Sequence, residues 1–125
     1  MNAVAPGAPC VSLRVAATPA QRLAAIEAWL DAMPAPMQDG GAAVIAEGAL
    51  LDRPAVRDAP LIGLAAGCPC CVGLTTLRVT IARTLRAHRP RALLLLLATE
   101  AHLPRLRRLL EDGELGVRFV VDSCP

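Results

Sequence analysis

A small α/β fold, with a mainly parallel sheet in three layers and flanking helices, is what this chain predicts. Three observations lead there. Apolar strand-like segments alternate with segments of helical periodicity along nearly the whole length. The most apolar of them, Leu93 to Leu97, has no polar face, as a strand covered on both sides requires. At 125 residues the chain is long enough for one core and for one domain.

Met1 to Pro9 is rich in Ala, Pro and Gly and reads as a flexible lead-in to a single domain over residues 10–125. Cys10 to Ala17 reads as a strand, because Val11, Leu13 and Val15 alternate with Ser12 and Arg14. Thr18-Pro19-Ala20-Gln21 then has the form of a helix start. Thr caps, Pro suits the first helical position, and Gln three residues after the cap closes a box. Leu23, Ile26, Leu30 and Met33 follow at helical spacing, and Pro34 and Pro36 end the helix.

Ala42 to Ala46 is a short apolar strand, and Glu47 to Pro60 reads as irregular, with Arg57 and Asp58 solvated. Pro60 to Ala65 is a second short strand that runs into Gly67-Cys68-Pro69-Cys70-Cys71. Beyond it Leu74, Leu77, Ile81 and Leu85 line one side of a helix, with Arg78, Arg83, Arg86 and Arg89 largely on the other. Pro90 stops that helix and the Leu93 to Leu97 strand follows. His102 to Leu110 returns to helical spacing, with Arg105, Arg107 and Arg108 outward. Val117 to Val121 is a last strand. In such sheets the loops at strand C-terminal ends carry the ligand groups.

Composition narrows the function. Hydrophobic residues make up 54% of the chain, which excludes intrinsic disorder. A net charge of +2, with one Trp, one Phe and no Tyr, argues against nucleic acid as a partner. All 13 basic residues are Arg, so any mechanism needing a lysine is ruled out. No signal-peptide pattern opens the chain, and the apolar run Ala92 to Ala98 is far short of the ~20 residues of a membrane span. A cytoplasmic protein that does not engage membranes is the expectation. Thiols there stay reduced, which favours metal or catalytic use of clustered cysteines over structural disulfides.

Three of the five cysteines fall within four positions. Cys68 and Cys71 have the Cys-x-x-Cys spacing that lets two sulfurs meet one soft ion, with Cys70 between them as a third ligand. A helix beginning just after the cluster favours the thiolate form. The metal is then zinc, or Co(II) or Cu(I). The fourth position falls to water, a partner's residue, or one of His102, His88, Cys10 and Cys124. A second chemistry is open to the same residues, a Cys-Pro-x-Cys dithiol at a helix start acting as a thiol-disulfide oxidoreductase through Cys68 and Cys71.

Gly67-Cys68-Pro69-Cys70-Cys71, preceded by Leu61 to Ala66, resembles the Gly-Cys-x-Cys-Cys segment of CobW-family GTPases, P-loop proteins of metal delivery. Val11 to Leu30 is similar in character to that family's first strand, phosphate loop and first helix. Ala43-Val44-Ile45 resembles its second strand, Ala49-Leu50-Leu51 the segment leading to the cysteines, Leu93 to Pro104 its next strand and loop, and Val120-Val121-Asp122 a later strand end. The resemblance covers the front part of the family's P-loop NTPase domain and implies that fold. It carries over Cys68, Cys70 and Cys71 alone, as metal ligands.

The departures define the rest. Where the family has a Gly-rich loop with a lysine, this chain has Ala16-Ala17-Thr18-Pro19-Ala20-Gln21-Arg22, without glycine or lysine and with a proline that removes an N–H. Ala98-Thr99-Glu100-Ala101 lacks the glycine of the loop after the buried strand. The expected protein is therefore a metal-binding pseudo-GTPase for metal homeostasis or handover, with no nucleotide bound and no GTPase activity. Its partners would be the metal ion and a metal-receiving protein or a second copy. The alternative to both chemistries is an interaction module that docks on a full-length CobW-like protein.

Overall fold

A computed structural model describes residues 10–33, 41–47, 55–64, 74–101, 103–112 and 120–121. Their elements run in the order β1 (Cys10–Val15), α1 (Pro19–Asp31), β2 (Ala42–Glu47), β3 (Ala55–Val56), β4 (Ala59–Leu64), α2 (Leu74–His88), β5 (Ala92–Leu97), α3 (Leu103–Glu111) and β6 (Val120–Val121). The strands form one sheet in the order β3-β4-β2-β5-β1-β6. Every pairing is parallel except the antiparallel β3–β4 edge. The expected α/β class and the mainly parallel sheet are both present.

β5 lies at the centre because it is the most apolar strand. Leu93 to Leu97 are all buried, odd-numbered side chains toward one face and even-numbered toward the other. On the first face Val11, Leu13, Ile45, Leu93 and Leu95 pack with Leu77 and Ile81 of α2 and Leu106, Leu109 and Leu110 of α3. On the second, Val44, Leu94 and Leu96 pack with Ile26, Trp29 and Leu30 of α1. Three layers result, two helices above the sheet and one below.

The second face also holds a buried polar contact, in which Trp29 Nε1 donates to Ser12 Oγ at 3.2 Å. Both side chains are buried, so the bond satisfies an indole N–H that water cannot reach.

One stretch departs from the expected irregular segment. Val56-Arg57-Asp58-Ala59 joins β3 to β4 as a two-residue hairpin, with φ of 48° at Arg57 and 69° at Asp58. Positive φ at both central residues is the type I′ geometry that suits right-twisted strands. Arg57 reaches from that turn to the end of α1, where Nη1 and Nη2 both donate to Asp31 Oδ1 at 2.6 and 2.7 Å. Arg57 and Asp58 are exposed, as their sequence context implies.

The topology fixes where a site can lie. α1 leaves β1 toward one face, whereas α3 follows neighbouring β5 toward the other. Adjacent strands whose chains depart to opposite faces open a crevice at their C-terminal ends, which is where such sheets bind ligands.

Candidate functional site

That crevice, between the ends of β1 and β5, corresponds in position to the expected phosphate turn. Its backbone is occupied by its own side chains. Ala16 N–H donates to Leu97 O at 2.9 Å, holding the two strand ends together. Thr18 caps α1, and Gln21 N–H donates to Thr18 Oγ1 at 3.1 Å. Gln21 Oε1 reaches back to accept from Ala17 N–H and Thr18 N–H at 3.0 and 3.2 Å. Arg22 N–H donates to Thr18 O at 2.9 Å, and Pro19 has no N–H to give. From Ala16 to Arg22 only Ala20 keeps an N–H that none of these bonds uses. The Arg22 side chain is buried and its Nη2 donates to Ala17 O at 3.3 Å.

The other half of the same edge differs. β2 ends on Glu47, which is only 5% exposed, and its Oε1 accepts from Ala98 N–H at 2.8 Å. A carboxylate at that depth would be costly without this bond, which ties the end of β2 to the loop after β5. Glu47 is also in register with Leu64, the last residue of β4. The segment carrying Cys68, Cys70 and Cys71 begins immediately after Leu64.

Cys68, Cys70, Cys71, His102 and Cys124 lie outside the described residues. Among the described residues there is no group of three or more His, Cys, Asp or Glu that could hold a metal ion. Two of the residues considered for a fourth ligand are placed. His88 ends α2, next to the start of β5, and is exposed. α2 rises ~21 Å over its 15 residues, so His88 is at the opposite edge of the sheet from the end of β4. Cys10 starts β1 at that same far edge, in register with Ala92. It is also disulfide-bonded, and so is not a free thiolate.

Glu47 is the residue the sequence reading passed over as part of an irregular segment. The available signal was a single charged residue closing the fully apolar run Ala42 to Ala46, at the strand end where ligand groups collect. Among the described residues no helix is long and apolar enough to cross a membrane. Compared with protein-family models, curated proteins and solved structures, the chain matches none.

Proposed function

We propose that this chain is a nucleotide-independent metal-binding protein, in which Cys68, Cys70 and Cys71 supply thiolates to zinc or a similar soft ion. The scaffold would be a degenerate, CobW-like version of the front of a P-loop NTPase domain, serving metal homeostasis or handover in the cytoplasm. The observation that carries the proposal is Glu47. A buried carboxylate ends the strand directly beside β4, in register with Leu64, which lies four residues before Cys68 in the chain. Three thiolates and a carboxylate make a four-donor set of the kind a tetrahedral ion accepts. Among the described residues Glu47 is the buried carboxylate at that edge.

The proposal makes a demand on the thiol count. The disulfide at Cys10 takes one of the other four cysteines, and the proposal requires that one to be Cys124, so that Cys68, Cys70 and Cys71 stay as thiols. Non-reduced protein denatured in the presence of a thiol reagent should therefore give three reactive groups, and five after reduction. Peptide mapping that joined Cys10 to Cys68, Cys70 or Cys71 would leave two thiols in the cluster and count against the proposal.

The direct test is zinc binding by the reduced full chain, followed by competition with a chromophoric chelator. One ion per chain is expected, with binding lost in the Cys68→Ser, Cys70→Ser, Cys71→Ser variant. Unchanged binding in that variant would end the proposal. An isolated protein that contained no metal but reduced protein disulfides through Cys68 and Cys71 would favour the oxidoreductase alternative. The disulfide at Cys10 is the observation that keeps it in view.

A further inference from the structure

Charge is distributed very unevenly over the two faces. Residues 74–91 and 103–112, which contain α2 and α3, hold eight arginines and only Glu111 and Asp112 as carboxylates. Both helices pack on the same face of the sheet through Leu77, Ile81, Leu106 and Leu110. Their other sides turn outward, and Arg83, Arg86, Arg105 and Arg108 are all exposed. Arg83 and Arg86 are three apart, as are Arg105 and Arg108, so each pair sits on one side of its helix. On α2 the same outward side carries Val79, four residues before Arg83 and 42% exposed. A net charge of +2 thus conceals one strongly basic face.

We propose that this α2–α3 face docks an acidic, amphipathic segment of another protein. It is independent of any role of the cysteines. Arginine forks pair with carboxylates in a fixed geometry, and a field of one sign speeds encounter with the opposite charge. Val79 selects the partner class. It offers an apolar contact inside the basic surface, which a glutamate- and leucine-bearing helix matches and a phosphate backbone does not.

Among the described residues base stacking has no platform on this face, because the sole Trp is buried on the opposite one. A second copy of the chain is a poor match. Among the described residues of α1, on the opposite face, Glu27 is exposed and Asp31 is already paired with Arg57.

The test is fluorescence anisotropy of the full chain with a labelled synthetic helix bearing glutamate and leucine on adjoining faces. Duplex DNA and phosphatidylserine vesicles form the comparison arms, and sedimentation of the chain alone reports self-association. The peptide is expected to bind, and to weaken by about tenfold or more when salt rises from ~0.05 to ~0.3 M. R83E/R86E/R105E/R108E should abolish binding, and R83Q/R86Q should weaken it severalfold while leaving the circular dichroism spectrum unchanged. V79S should weaken it less than R83Q/R86Q does. No peptide binding at low salt, equal binding by R83Q/R86Q, or no loss in V79S would each overturn the proposal. So would tighter binding of DNA or vesicles than of peptide, or self-association that consumes the face.

Discussion

The two halves of the sheet's C-terminal edge are built from the same parallel strands and have opposite chemistry. At the ends of β1 and β5 the polar groups are backbone amides, and Thr18, Gln21 and Leu97 O have absorbed nearly all of them. At the ends of β2 and β4 the polar group is a buried carboxylate, anchored through one oxygen to Ala98 N–H. The first half is a closed hydrogen-bond system of backbone amides, the Thr18 and Gln21 side chains and the Arg22 guanidinium. The second holds an ionisable donor beside the start of the cysteine segment. An anion would have to displace internal bonds to enter the first, whereas a cation would meet a negative charge already in place at the second.

The largest expected effect tests that contrast at Glu47. Glu47→Gln keeps an acceptor for Ala98 N–H and removes the charge, so the fold should survive with little change in denaturation midpoint. Zinc affinity should nevertheless fall at least ~10-fold, the scale on which polar groups at metal sites tune affinity. Glu47→Ala removes the acceptor as well and strands a buried N–H, which costs about 1–3 kcal/mol of stability. Equal zinc affinity in the wild type and in Glu47→Gln would show that the carboxylate is purely structural. Matched urea titrations of the two variants separate the two roles.

A smaller effect belongs to the closed half. Thr18→Ala deletes the cap on α1 and leaves Gln21 N–H without its acceptor. A loss of about 1 kcal/mol is expected, read as a lower urea midpoint with unchanged slope. Zinc affinity should not move, because Thr18 belongs to the half of the edge away from Glu47. A change in zinc affinity on this substitution would mean that the two halves are coupled.

What was legible in the sequence was what local chemistry decides. Thr18 to Gln21 announced its capping box because all four residues lie within one helical turn, and Leu93 to Leu97 announced a buried strand by having no polar position. The β3–β4 hairpin was not legible. Its type I′ turn is made by Arg57 and Asp58, and arginine at φ 48° carries none of the signal that Asn-Gly or Asp-Gly would. Glu47 was hidden for a different reason. Its hydrogen-bond partner, Ala98, is 51 positions away, and only the pairing of β2 with β5 brings them together. The strand order was beyond reach on the same grounds, since it is set by contacts remote in sequence. The disulfide at Cys10 ran against the expectation of reduced thiols, because cysteine spacing alone does not reveal a pairing.

The smallest expected effect is none at all, and it bears most directly on the closed half. Titrating the full chain with GTP or ATP and magnesium should produce no heat of binding and no shift in melting temperature. A phosphate needs several convergent N–H donors and a cation to offset its charge. Between Ala16 and Arg22 the chain has already used the amides of Ala16, Ala17, Thr18, Gln21 and Arg22 internally. Pro19 contributes none, and no lysine exists anywhere in the sequence. Removing the cap should not restore the site. In Thr18→Ala the N–H of Gln21 is released, but those of Ala17 and Thr18's replacement still face Gln21 Oε1, and the proline remains. The double variant Thr18→Ala, Gln21→Ala would free three amides and should still show no binding above millimolar affinity, because Pro19 still lacks an N–H and the Arg22 guanidinium stays buried against Ala17 O. Micromolar binding by the wild type would mean that the capping box opens to admit phosphate. Micromolar binding by the double variant alone would show that the box, and not the absent lysine, is what keeps nucleotide out.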